Sequence, residues 1–253
     1  MTREQAISRL RAAGCVFAED EADVLIEAAA AGPPLAGMVE RRAAGEPLEQ
    51  VVGYADFAGV RVRLRPGVFV PRVRSELLVR LGAAGIGPGA VVVDLCCGSG
   101  ALGLAVRRRV PGIVLHAADV DPAAVACAGD NLGANVYEGD LFHALPESLR
   151  GRIDLLLANV PYVATGHLPF LPAEARDHEP RTALDGGDDG LAVFRAVAAG
   201  AHDWLAPGGL LISEITEAQT PIASAIAAGN GLTPTVATDD DLDARAILAR
   251  RPR

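Results

Sequence analysis

From Ala90 onward, short apolar runs alternate with helical stretches, and no other feature constrains the fold as strongly. Val91-Val92-Val93-Asp94 is followed by a helical pattern from Ala101 to Arg109. Ile113 to Ala118, ending at Asp119, is followed by Pro122 to Leu132, and the short Asn135-Val136-Tyr137 leads to Asp140. Ile153 to Ala158 is a fourth strand, Leu191 to Leu205 a helix, Pro207-Gly208-Gly209 a turn and Leu210 to Ile215 a fifth strand. Runs this apolar have no solvated face, and strands alternating with helices make a parallel sheet covered on both sides. Thr233 to Ala237, the acidic turn Asp239-Asp240-Asp241 and Ala246 to Ala249 read as a closing hairpin. Val163 to Asp188 is too long for an ordinary connection, a length that points to function or disorder.

Upstream of the alternation the period changes. Residues 1–50 read as a small helical domain. Ile7 and Leu10 share one face ahead of Gly14. Glu19 to Ala31 turns around Val24, Leu25 and Ala28 and stops at Gly32-Pro33-Pro34. Leu35 to Ala44 ends before Gly45 and Pro47. Three such helices bury little alone, so they are expected to pack on a larger body or a partner. Residues 51–75 are expected to form a linking β-hairpin. Val60 to Arg65 alternates strictly, Pro66-Gly67 turns, and Val68-Phe69-Val70 returns. The arginines on this hairpin read first as a solvated face, second as a basic rim for a polypeptide or RNA. Ser75-Glu76-Leu77-Leu78-Val79 opens a helix, and residues 76–253 make up the third part.

Composition narrows the chemistry. All 23 basic residues are arginine, which removes a P-loop lysine and any Schiff-base lysine. A net charge of −9 disfavours sequence-independent nucleic-acid binding, which needs clustered positive charge. With aromatics at 4%, Ala, Val and Leu must fill the core. Cys15, Cys96, Cys97 and Cys127 lack C-x-x-C spacing, so neither zinc nor a disulfide framework is expected. His178 between two acids has poor ligand spacing, and no metal site is expected. The amino terminus lacks the apolar core of a signal peptide, and no run is long enough to span a bilayer; the expectation is a soluble cytoplasmic protein.

Asp94-Leu95-Cys96-Cys97-Gly98-Ser99-Gly100-Ala101-Leu102-Gly103 leads from strand to helix and contains G-x-G-x-x-G, with Asp119 at the spacing of a ribose-binding acid. A dinucleotide is therefore one reading. Asp94, however, ends the strand where a carboxylate repels pyrophosphate and attracts an ammonium or sulfonium. S-adenosylmethionine fits better. Gly98 and Gly100 would let the backbone approach its methionine moiety, Asp119 would take the ribose hydroxyls, and Asp140 lies where the adenine amino group would be held. Cys96 and Cys97 read as small residues tolerated in a tight loop.

Asn159-Val160-Pro161-Tyr162 follows the fourth strand at the sheet's carboxyl edge, where open α/β sheets bind ligands. Pro161 has no N–H and biases Val160 to an extended conformation. The Asn159 side-chain oxygen and the Val160 carbonyl then form two adjacent acceptors beside the Tyr162 ring, a set suited to a planar N–H₂ group.

These blocks resemble the HemK-type protein glutamine N5-methyltransferases, whose members methylate peptide-chain release factors. The resemblance covers nearly the whole chain. It takes in Gly45-Glu46-Pro47-Leu48, Pro71-Arg72 with Glu76, the Asp94 loop, Asp119, Asp140-Leu141-Phe142 and Asn159-Val160-Pro161-Tyr162. It continues through Glu179-Pro180, Ala183-Leu184, Gly186-Gly187 and Asp189-Gly190-Leu191. It implies an α/β, Rossmann-like class I S-adenosylmethionine-dependent methyltransferase sheet with the small helical domain serving substrate recognition. The implied cofactor set is Asp94, Cys96, Cys97, Gly98, Ser99, Gly100, Asp119, Asp140, Leu141 and Asn159. The implied catalytic set is Asn159, Val160, Pro161 and Tyr162. The implied partner is a release factor or similar polypeptide with an exposed glutamine, met by a monomer without nucleic acid or membrane. The chain departs from the family at three motif positions, Val160 for the first proline of Asn-Pro-Pro-Tyr, Cys96 for the first loop glycine, and Val73-Arg74-Ser75 for Pro-Glu/Asp-Thr, and its helical amino-terminal region is shorter than usual. Two other readings stay open, a methyltransferase for exocyclic amines of RNA or DNA and a non-catalytic S-adenosylmethionine-binding interaction module.

Overall fold

The computed structural model describes residues 1–30 and 32–253. Four helices open the chain: α1 (Arg3–Ala12), α2 (Ala18–Ala29), α3 (Leu35–Ala43) and the short α4 (Leu48–Val52). Thr2 and Gln5 cap α1 reciprocally, each side chain accepting from the other's backbone N–H. Leu10, Leu25, Met38, Val39 and Val51 give these helices a core cluster of their own. The second helix, expected to reach Ala31, is described as far as Ala29; Ala31 lies outside the described residues.

The hairpin forms with a different partner. β1 (Tyr54–Phe57) pairs antiparallel with β2 (Val60–Arg63), and the expected return strand Val68 to Val70 does not pair. Ala58 and Gly59 both take positive φ, 49° and 85°, and two consecutive left-handed residues give a turn whose twist suits a two-residue hairpin. Beyond Pro66-Gly67 the backbone is used elsewhere: the Val70 N–H donates to Glu179 Oε1, and the Val68 and Val70 side chains are buried. Arg61 is paired with Asp56 and lies over the Tyr54 ring, and Arg65 is paired with Asp130, so these two arginines are largely neutralised.

α5 (Glu76–Ala84), β3 (Val91–Leu95), α6 (Ala101–Arg109), β4 (Val114–Asp119), α7 (Pro122–Leu132), β5 (Val136–Glu138) and β6 (Ile153–Ala158) follow. Next come α8 (Ala173–His178), α9 (Ala192–Trp204), β7 (Leu205–Glu214), α10 (Thr220–Gly229), β8 (Thr233–Asp239) and β9 (Ala244–Arg250). The seven strands lie in the order β5-β4-β3-β6-β7-β9-β8. The first five are parallel, and β9 runs antiparallel to both its neighbours. This is the Rossmann-like α/β sheet that the resemblance implies. Leu155, Leu157 and Ile212 face α5 and α6, whereas Leu156 and Leu211 face α9 and α10, so each face carries its own core cluster. From β3 the chain winds outward to β4 and β5, then returns to place β6 and β7 on the other side. The strand order therefore reverses between β3 and β6, and the crevice at their carboxyl ends is the binding position of such sheets.

The connection after β6 is ordered. Two 3₁₀ turns, Thr165–Phe170 and Arg181–Ala183, flank α8, and Val163 bridges Asp185. Arg42 fastens this segment to the amino-terminal helices: its buried guanidinium pairs with Glu21 and Glu174, each at 2.7 Å, and donates to the Glu46 carbonyl. Removing one partner of a buried pair strands the other charge. Arg42→Ala is expected to cost about 3 kcal/mol and to raise hydrogen exchange in α8, read by thermal melting and mass spectrometry.

Candidate active site

The reversal point brings the Asp94 loop and the Asn159 loop to opposite walls of one cavity of about 800 Å³. Asp94, Cys96, Cys97, Gly98, Ser99, Asp119, Asp140 and Leu141 line it on the side of β3 to β5, and Asn159, Val160, Pro161 and Tyr162 line it beyond β6. The Cys97 N–H donates to the Ala118 carbonyl (3.1 Å), tying the loop to β4. Gly98 takes positive φ with open space where a Cβ would sit. Gly100 does not line the cavity: a Cβ there would meet the Leu132 side chain at 2.8 Å, so its lack of one lets α6 approach α7. Cys96 adopts a φ of 57°, a left-handed conformation that costs an L-residue about 1 kcal/mol and that glycine adopts freely.

The cofactor wall is acidic and unpaired. Asp94 is buried, with Oδ2 accepting the Gly103 N–H (2.8 Å). Burial pushes its carboxyl up to about 7, with Asp119 adding to the rise and the Gly103 bond opposing it. Asp119 accepts from the Gly98 and Asp121 N–H groups, and burial raises it too. No arginine among the described residues offsets either carboxylate. Asp121, by contrast, caps α7 through the Ala123 N–H, ahead of Pro122 at the first helical position. A desolvated pair of acids without counter-charge fits a cationic nucleoside and not a pyrophosphate.

On the facing wall, hydrogen bonds fix the Asn159 amide. Its Nδ2 donates to Ser75 Oγ (3.1 Å), and Ser75 Oγ donates to Glu214 Oε2 (2.6 Å). The Tyr162 hydroxyl donates to Glu214 Oε1 (2.7 Å), and Arg74 Nε lies 3.3 Å from the same oxygen. Burial and the Glu214 charge hold the Tyr162 hydroxyl well above the usual phenol range, so it stays a donor. Asn159 Oδ1 is buried with no hydrogen-bond partner among the described residues, and none of them donates to the Val160 carbonyl. An unmet buried acceptor costs about 1–3 kcal/mol, and its retention points to a ligand. The Val160 side chain belongs to the core cluster that includes Leu191 and Phe194, so valine fills this position without removing its backbone carbonyl.

Other residues hold these walls. Gln219 Nε2 donates to the Tyr162 and Asp189 carbonyls. Buried Glu179 accepts from the Val70 N–H and from Arg72 Nη2 (2.6 Å), which joins the Pro71-Arg72 block to the Glu179-Pro180 block. Ser75, Glu214 and Gln219 are not among the site residues to which the sequence points. A signal for Glu214 was present, namely a carboxylate closing an apolar strand at the sheet's carboxyl edge.

The Methyltransferase small domain family matches residues 60–171. A release factor glutamine methyltransferase from Moorella thermoacetica is 36% identical over 239 residues, covering 83% of this chain and 83% of that protein. The chain belongs to the release factor glutamine methyltransferase family. A family enzyme from Geobacter sulfurreducens is 37% identical over 71% of this chain, and the match spans 64% of that protein's length. The 4-amino-L-phenylalanine/4-methylamino-L-phenylalanine methyltransferase of Streptomyces pristinaespiralis is also 37% identical, over 83% of this chain and 75% of its own. Among solved structures, a methyltransferase from Pyrococcus furiosus shares the fold, with a TM-score of 0.58 over 77% of this chain and 90% of that one, at 14% identity. In a methyltransferase family, a cavity with this acidic wall has S-adenosylmethionine as its methyl donor.

Proposed function

We propose that this family member methylates the side-chain amide nitrogen of a glutamine in a peptide-chain release factor. The observation that carries the reading is the pair of unpartnered acceptors, Asn159 Oδ1 and the Val160 carbonyl, on residues that line the same cavity as the acidic wall. An amide nitrogen is a poor nucleophile because its lone pair is delocalised into the carbonyl. Two acceptors holding its two N–H bonds aim the remaining lone pair and favour the positive charge that develops on nitrogen. Tyr162, locked by Glu214, presents its ring to the amide plane. No strong general base is needed, because the proton becomes acidic once the nitrogen is methylated. S-adenosylmethionine, when bound, supplies the sulfonium methyl. Asp94, Asp119 and Asp140, with Cys96, Cys97, Gly98, Ser99 and Leu141, would hold it.

The helical segment 1–50, fastened to the segment after β6 through Arg42, is assigned to recognition of the protein substrate. The net charge of −9 supports a polypeptide over a nucleic acid, and the working form is taken as a cytoplasmic monomer. No helix among the described residues is long and apolar enough to cross a membrane. Transfer of labelled methyl to a class I release factor carrying a Gly-Gly-Gln motif tests the assignment. No label despite measured cofactor binding overturns it. A free amine is the second reading, favoured by the identity to the S. pristinaespiralis enzyme, and it predicts label on a small aromatic amine instead.

Asp94 gives the site a pH signature. Its carboxyl titrates near 7 in the free protein against an ordinary 3.8. The folded state therefore holds a proton that the unfolded chain has lost across this window, and the Asp94 contribution to stability falls as pH rises through it. A cation binds the carboxylate form. Affinity for S-adenosylmethionine is expected to be level above about pH 8 and to fall up to about tenfold per unit below 7, and Asp94→Asn to flatten the slope. Titration calorimetry across that range checks both.

A further inference from the structure

We propose that Glu214, acting through Ser75, is a positioning residue that sets which end of the Asn159 amide faces the methyl acceptor. The inference rests on the reading of Asn159 as the residue that receives the acceptor's N–H. Asparagine can present either an oxygen or an N–H₂ group, and only the oxygen serves that role. The choice follows from counting protons. Glu214 is a buried carboxylate at the end of β7 and only accepts. Ser75 has one hydroxyl proton, and the 2.6 Å bond to Glu214 Oε2 uses it. Ser75 Oγ then has only lone pairs for its other neighbour, so Asn159 must turn Nδ2 towards it and leave Oδ1 unpaired. The Tyr162 hydroxyl donates to Glu214 Oε1, and the Arg74 guanidinium, with Nε 3.3 Å from the same oxygen, adds an opposite charge on that side. Residues 75, 159 and 214 meet here from three separate parts of the chain.

Glu214→Gln inverts this order while keeping size and shape. The glutamine oxygen is drawn to the side where the Tyr162 hydroxyl donates and the Arg74 guanidinium lies 3.3 Å away, which turns its N–H₂ towards Ser75. Ser75 then accepts, its freed proton points at Asn159, and Asn159 flips to receive it through Oδ1. An N–H₂ group would face the acceptor nitrogen.

The test compares wild type, Glu214→Gln, Ser75→Ala and Ser75→Thr by turnover on a release factor, cofactor affinity and side-chain amide exchange. The chain has four asparagines, so selective ¹⁵N-asparagine labelling resolves Asn159. Expected for Glu214→Gln is a fall in kcat of about a hundredfold with cofactor Kd changed by less than about twofold, the pattern of lost orientation at the reacting centre. The Asn159 amide protons, one of them held by Ser75, should exchange faster in that variant. Ser75→Ala should lose turnover, and Ser75→Thr, which keeps the hydroxyl, should regain most of it. Glu214→Gln turnover within about threefold of wild type, or equal losses in Ser75→Ala and Ser75→Thr, would overturn the proposal. Failure of the wild type on every release factor would instead count against the substrate assignment. The exchange measurement needs no acceptor and decides the role of Glu214 alone, unchanged exchange in Glu214→Gln overturning it.

Discussion

Asn159→Ala is expected to lower kcat for methyl transfer by about 10²–10³-fold, the usual loss when one aimed polar group is removed from a transition state. The substitution deletes Oδ1, one of the two open acceptors, and leaves the Val160 carbonyl in place. One N–H of the acceptor then has no partner, and its nitrogen lone pair is no longer aimed. The fold should hardly notice. Oδ1 makes no bond within the protein, and the loss on the other side is a single donor to Ser75, worth about 1 kcal/mol. Single-turnover rates with a melting curve as control separate the two effects. A large rate loss with a matching collapse of the fold would remove Asn159 from the chemistry.

Gly190→Ala is expected to carry a large stability effect. Gly190 has a φ of 74°, and a Cβ built on it falls well inside contact distance of the Tyr162 carbonyl oxygen and of Gln219 Nε2. A backbone carbonyl cannot swing aside as a side-chain tip can, so the loop from Asn159 to Tyr162 must move. Left-handed alanine costs about 1–2 kcal/mol and overpacking about 1–3, together about 3 kcal/mol. In a chain of this length that lowers Tm by about 10 °C. Turnover should fall further than the melt explains, because the displaced backbone belongs to the acceptor site. Gly186 makes a comparable approach, its Cβ position lying 2.6 Å from the Pro161 carbonyl. Gly166 lies in the same segment with open space around it, and Gly166→Ala should leave Tm within about 1 °C.

What could be read beforehand divides by range along the chain. α7 was legible to the residue because Asp121-Pro122 is a local helix start, and β6 because its apolar run stops at Asn159. The acids after β3, β4 and β5 were legible because carboxyl ends of parallel strands share one edge. The hairpin was paired wrongly because Ala58-Gly59 lacks the Asn-Gly or Asp-Gly signal for two left-handed residues, whereas Pro66-Gly67 looks like a turn. α10 went unseen although Ile222, Ala223, Ile226 and Ala227 recur at helical spacing, because Ala and Gly around them blur the pattern. The Ser75–Glu214 contact spans 139 positions and leaves no mark in local periodicity. Gly100 shows the converse: its motif position suggested cofactor contact, and the geometry gives it to helix packing.

Glutamine methylation is tested most directly by peptide mapping, by mass spectrometry, of a release factor after incubation with the protein and S-adenosylmethionine. One added methyl is expected, on the side-chain nitrogen of the glutamine in the Gly-Gly-Gln motif, absent when Asn159→Ala replaces the wild type. An unmodified glutamine, with label recovered on RNA or on a small amine, would contradict it.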